Sequence, residues 1–163
     1  MIISAPDATQ DLRYMRAALR EAEKARTKGE VPIGAIIVAD GRVLARGHNL
    51  KELKQDATAH AELIALRKAQ KKLSNWRLTG TTLYVTLEPC PMCLSAIVQS
   101  RVARVVFAAA DPVMGACGSQ VDLTRSHPAN PTLQITGGVL AAESKTLIDG
   151  FWRQRRARGE KLS

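Results

Sequence analysis

The chain has 163 residues, with 45% hydrophobic and 24% charged positions, which suits one soluble domain with a sizeable core. No apolar run approaches the roughly twenty residues that span a bilayer, and the first seven residues lack the basic and apolar stretches of a signal peptide. Lysine and arginine number 24 against 15 acidic residues, a formal charge of +9, which favours polyanionic partners without proving one. The three cysteines argue against a disulfide framework and for a reducing compartment, so a cytoplasmic location is expected.

Residues 1–7 read as a flexible lead. Residues 8–28 read as a helix, with Leu12, Met15, Leu19, Ala22 and Ala25 as its core stripe and Gly29 as its stop. Ile33 to Ala39 is an apolar, β-branched run suited to a buried strand. Asp40-Gly41 signals a hairpin, and Arg42 to Gly47 is the return strand. Asn49 either hydrogen-bonds a substrate edge or closes a turn; position alone favours the turn. Leu50 to Asp56 reads as a polar connection. Ala59 to Ala69 reads as a helix, with Asp56 or Thr58 as its cap and His60 and Glu62 in its first turn. Lys68, Lys71 and Lys72 suit the negative pole at its end and read as solvated.

Thr82 to Leu87 is a strand that Pro89 stops, and Pro91 fits the first position of a helix from Met92 to about Ser100. Val102 to Phe107 is another strand, and Leu133 to Thr136 a short last one. Between them, Asp111 to Ser119 is Gly-rich: it is either a substrate-binding loop or an ordinary surface loop. Residues 141–158 form a last helix ending in Phe151-Trp152-Arg153-Gln154-Arg155-Arg156, followed by a basic tail at 159–163. Its aromatics and arginines either stack bases and hold phosphates, or pack on the core and face solvent. The alternation of strands and helices implies α/β layers in a single domain, residues 1–163.

Three residues stand out as metal ligands: His60, Cys90 and Cys93. The two cysteines are three apart at a helix start, where the positive helix pole favours thiolates. Three protein ligands leave the fourth position of a zinc ion to water, as catalytic zinc requires. Glu62, two residues from His60, is then free to move protons. A lone His-x-Glu occurs by chance, and a lone Cys-x-x-Cys also fits a redox pair; the conjunction at two helix starts is far more specific. The main competitor is a closed structural zinc with Cys117, His48 or His127 as fourth ligand, which would leave Glu62 without a task.

His-x-Glu followed by Pro-Cys-x-x-Cys is the described signature of zinc-dependent nucleobase deaminases. Longer stretches narrow the resemblance: Glu30-Val31-Pro32-Ile33-Gly34-Ala35, Gly47-His48-Asn49, Thr58-Ala59-His60-Ala61-Glu62, Asn75-Trp76-Arg77-Leu78 and Leu83 through Cys93. Over roughly residues 10–156 the chain resembles the bacterial tRNA-specific adenosine deaminases. The resemblance implies a three-layer α/β/α cytidine-deaminase-like fold around a five-stranded mixed sheet. It implies one Zn2+ per subunit with water as fourth ligand, Glu62 as proton carrier, and conversion of a tRNA wobble adenosine to inosine. It further implies a homodimer that binds the anticodon stem-loop. Asn49 and the backbone at Ala61 would contact the target base, the loop at Asp111 the neighbouring nucleotides, and Arg153, Arg155 and Arg156 the RNA. Ala108 stands where many members have Gly, and Val113 where many have Lys, which removes one phosphate contact. Two further readings remain: a deaminase of free bases or nucleosides, and a noncatalytic zinc-stabilised RNA-binding module.

Overall fold

A computed structural model describes residues 7–124 and 129–160. The order of elements is α1 (Ala8–Thr27), β1 (Gly34–Ala39), β2 (Arg42–His48), α2 (Lys51–Lys54), α3 (Ala61–Leu73), β3 (Thr82–Leu87), α4 (Pro91–Gln99), β4 (Arg104–Ala109), β5 (Gln134–Gly137) and α5 (Ala141–Ala157). The five strands form one mixed sheet in the order β2-β1-β3-β4-β5. β1 is antiparallel to both neighbours, while β3, β4 and β5 run parallel. Alternate residues of each strand face opposite layers. Ala35, Ile37, Leu83, Val85 and Val105 pack with α3 and α4. Ile36, Val38, Tyr84 and Val106 pack with Tyr14, Met15 and Ala18 of α1. α5 joins the α1 side, where the Ser144 hydroxyl donates to the Thr86 carbonyl. The fold is therefore the expected three-layer α/β/α arrangement.

Local signals account for most boundaries. The Asp7 carboxylate caps α1 by accepting from the Thr9 amide at 2.9 Å. Asp40 and Gly41 both take positive φ, 47° and 71°, as a two-residue hairpin with right-handed strands requires. Two glycines set layer spacing. A Cβ on Gly34 would lie 2.2 Å from the Ala18 carbonyl oxygen, and one on Gly47 would lie 2.3 Å from that of Ala61. The second contact brings β2 hard against the start of α3, where the candidate site begins.

Five expectations need correction. The buried stripe of α1 is rotated: Met15, Ala18, Ala22 and Ala25 are fully buried, but Leu12 is exposed and Leu19 half-buried. Buried Asp11, Tyr14 and Glu21 take their place because each has a polar partner across the layer. The polar connection after Asn49 contains α2, held by the buried Glu30 carboxylate, which accepts from the Glu52 and Leu53 amides. Helix α3 starts two residues later than expected, and the Asp56 carboxylate folds onto the Thr58 amide and hydroxyl instead of capping it. β4 starts at Arg104, and the Ala103 and Arg104 amides both donate to the Thr81 carbonyl just before β3. The lysines of α3 also do more than meet water. Lys68 and Lys72 reach the Arg46 and Leu44 carbonyls of β2, an edge strand whose free groups need covering.

Candidate active site

The α3 N-terminus and the β3–α4 junction meet beside β2 and β4. His60 is the residue immediately before α3, and Cys90 the residue immediately before α4, with Pro91 at the first helical position. Both have extended backbone, so each side chain stands clear of its helix mouth. The His60 Nδ1 lies 3.8 Å from the Cys90 Sγ and 3.5 Å from the Cys93 Sγ. Around a tetrahedral zinc, a thiolate sulfur and an imidazole nitrogen should stand about 3.6 Å apart, given the usual bond lengths. The three donor atoms all lie within 4.8 Å of one another, and they form the one such cluster among the described residues. Their chemistry also fits. The Cys90 thiol is pulled to about 4 by its hydrogen bond with Cys93 and then by His60. The same bond with Cys90, together with burial, pushes the Cys93 thiol up. A site that holds one thiolate readily and a second with difficulty is one that a divalent cation completes, releasing a proton on binding.

Glu62 is 4% exposed and stands on the first turn of α3. Burial raises its carboxyl to about 6, with its own backbone N–H and the nearby His60 pulling the other way. A carboxyl poised there can both take and return a proton near neutral pH. It is not among the three clustered donors.

Asn49 follows β2 and is buried. Its Oδ1 accepts the Ala61 amide at 3.0 Å, so it caps the first turn of α3 from a distance of twelve residues. Position alone favours a turn-closing role; instead the side chain ties β2 to the helix that carries Glu62. No bond to its Nδ2 donor is formed among the described residues. The Ala61 N–H, part of the backbone expected near the base edge, donates to Asn49.

The loop after β4 is organised by a residue that the motif reading passes over. Glu88 is 2% exposed, and its carboxylate accepts three backbone amides. These are Asp111 at 3.0 Å, Cys117 at 2.8 Å and Ser119 at 3.1 Å. Burial would raise its pKa, but the Ser119 side chain and these amides outweigh it and hold the carboxyl below its ordinary value. Asp111 itself is turned inward on its loop: its Oδ1 accepts the Val113 and Met114 amides. Gly115 is required here, since a Cβ would lie 2.5 Å from the Glu88 carboxylate. The only signal for Glu88 in the sequence is its place between a strand end and Pro89-Cys90. Glu88→Gln should cost about 2 kcal/mol, because an amide cannot accept on both sides. Hydrogen exchange should speed up at Asp111, Cys117 and Ser119; unchanged protection there would remove Glu88 from this role.

The other candidates lie apart. His48 is bonded to Glu21 at 3.2 Å and to Lys28 at 2.8 Å, as a packing residue. Cys117 is outside the donor cluster, and its thiol is pushed up to about 12 by burial, then by Glu88 and Asp122. His127 lies outside the described residues. Arg155 donates to Glu160 and stacks on Phe151, while Arg153 and Arg156 are exposed on α5. None of the three is joined to the candidate metal cluster by a described contact. Phe151 is buried, so at that position the core reading holds.

The family model for the MafB19-like deaminases matches residues 9–156. The tRNA-specific adenosine deaminase of Bacillus subtilis is 49% identical over 148 residues, 91% of this chain and 92% of the relative. That of Haemophilus influenzae is 47% identical, covering 90% of this chain and 85% of the relative. A solved structure from studies of A-to-I editing by tRNA:A34 deaminases superposes with a TM-score of 0.79 at 41% identity, over 83% of this chain and 98% of that one. The same His, Glu and paired cysteines that the two helix starts bring together thus sit inside a chain-long likeness, and the chain belongs to the MafB19-like deaminase family, alongside the tRNA-specific adenosine deaminases.

Proposed function

We propose that this chain hydrolytically deaminates the wobble adenosine of a tRNA anticodon to inosine, using one zinc ion per subunit. The observation that carries the reading is the convergence of His60, Cys90 and Cys93 beside a buried, near-neutral Glu62. The names of the close relatives supply the substrate. The +9 charge suits RNA, and a homodimer in the cytoplasm belongs to the same proposal. No helix among the described residues is long and apolar enough to cross a membrane.

Zinc held by His60, Cys90 and Cys93 supplies a Lewis acid that lowers the pKa of a water molecule toward neutrality. The rest is done by the chain. Glu62 takes one proton from the attacking water and delivers it to N1 of the flipped adenine, as the water oxygen bonds to C6. Glu62 then carries the second hydroxyl proton to the exocyclic amine. The C6–N bond breaks, ammonia leaves, and the base is hypoxanthine, which makes the nucleoside inosine. Asn49 holds the start of α3, and so Glu62, in place, with its Nδ2 left to meet a base edge. The loop from Asp111 to Ser119, fixed on Glu88, borders the Cys90 helix through the Ala116 amide and the Pro89 carbonyl.

The decisive assay offers purified protein a tRNA with a wobble adenosine, and free adenosine, cytidine and guanine in parallel. Inosine in the RNA alone is the expected result. Deamination of a free base or nucleoside would keep the proton chemistry and overturn the substrate. Zinc binding without turnover on any substrate would leave the RNA-binding module instead.

A further inference from the structure

A second feature lies on the opposite side of β2 from α3. Arg13, Ala17 and Arg20 recur at helical spacing on α1 and face the β1–β2 hairpin. Together with Tyr14, Gly41, Arg42, Val43 and Arg46 they line a cavity of about 270 Å³. The hairpin is not free to swing, because the Tyr14 hydroxyl donates to the Gly41 carbonyl at 2.6 Å. The cavity is therefore bordered by a tied hairpin and four exposed arginines.

These arginines are poorly compensated. Among the described residues, Arg13, Arg20 and Arg42 have no carboxylate within ion-pair distance. Arg46 comes only to 3.9 Å of Glu21, which Lys24 at 2.8 Å and His48 at 3.2 Å already hold. Like charges gathered in a concave site focus a positive potential, and guanidinium forks match phosphate oxygens. The lining also excludes a stacked base. Its one aromatic, Tyr14, is 3% exposed and packs against Tyr84.

Position decides which phosphates. Gly34, at the start of β1, is bonded to Thr86 beside the deaminating end of β3. The pocket begins near this end, where Arg46 pairs with Ile36, and runs along the hairpin to the Asp40-Gly41 turn, about 20 Å from Gly34 at the usual rise per residue. It lies on the α1 face of the sheet, away from the α3 and α4 face, so the flipped nucleotide and its neighbours do not fill it. We propose that this arginine pocket binds backbone phosphates in the stem of the RNA substrate, outside the loop that enters the deaminating site. The proposal rests on the tRNA reading above.

Binding of a labelled tRNA to the zinc-loaded full chain, followed across a range of potassium chloride, tests it. Arg20→Gln/Arg46→Gln should flatten the log–log salt slope by about 1 to 2 and weaken binding about tenfold at low salt. KM for the tRNA should rise with kcat unchanged. A short RNA carrying only the anticodon loop should bind the parent and the double variant alike. Arg26→Gln, which removes a charge already paired with Glu23, is the control. A double variant with the parent's slope and affinity would overturn the proposal, as would an equal effect of Arg26→Gln. Inorganic triphosphate that fills the pocket without displacing tRNA would overturn the assignment to RNA. Intact tRNA binding without inosine would sink the catalytic reading and leave this one standing.

Discussion

Glu62→Gln protein should keep one zinc per chain and form inosine about 10² to 10⁴ times more slowly than the parent. The side chain is 4% exposed, so glutamine fills the same space and leaves no cavity. It cannot accept a proton, however, whereas burial puts the carboxyl at about 6, where the proposed mechanism needs it. The substitution removes proton transfer and nothing else of comparable size. Cys90→Ser is the complementary change: it deletes one of the three clustered donors, the sulfur 3.8 Å from His60 Nδ1, and should lose the metal along with activity. Metal analysis and turnover, measured on both variants, separate the roles. Normal turnover by Glu62→Gln would end the mechanism. Full zinc occupancy in Cys90→Ser would remove Cys90 from the ligand set.

The cysteine half of this site was legible because it sits on a local signal. Pro91 marks a helix start, and Cys90 and Cys93 are placed by one turn of that helix. The hairpin at Asp40-Gly41 and the strand Thr82–Leu87 are equally local. What escaped the sequence are carboxylates whose partners lie far along the chain. Glu88 looks like a link between a strand and a cysteine; only the folded chain shows it gathering amides 23, 29 and 31 residues away. Glu30 and α2 show the same behaviour. Asn49 was ambiguous because its acceptor could serve its own turn or a distant helix, and periodicity does not distinguish the two. The α1 stripe was misplaced for a related reason. Leucine was preferred to aspartate as a core residue, yet Asp11 is buried and Leu12 is not.

Asp11→Ala should destabilise the fold by about 3 to 5 kcal/mol, the usual result of leaving one member of a buried ion pair alone. Arg104 donates to both Asp11 oxygens, at 2.8 and 2.7 Å, and Tyr84 donates to the same carboxylate at 2.8 Å. The pair joins α1 to β4 across 93 residues of chain and closes the layer opposite the metal site. Without Asp11 the guanidinium would stay buried, with Thr136 as its remaining side-chain partner. Burial would raise the Asp11 pKa, but the hydrogen bonds from Arg104 and Tyr84 and the Arg104 charge outweigh it, so the carboxyl is held below its ordinary value. Its contribution is thus fully present above the unfolded pKa, about 4. It fades as pH falls through the folded value. Denaturant melts of the parent and Asp11→Ala should therefore lie farthest apart at neutral pH, and the gap should narrow as pH falls below about 4. A gap that stayed constant down to pH 2 would mean that packing, not the charge pair, fastens α1 to the sheet. Zinc content of the folded variant should match the parent, because the pair lies on the α1 face and the ligands on the α3 and α4 face.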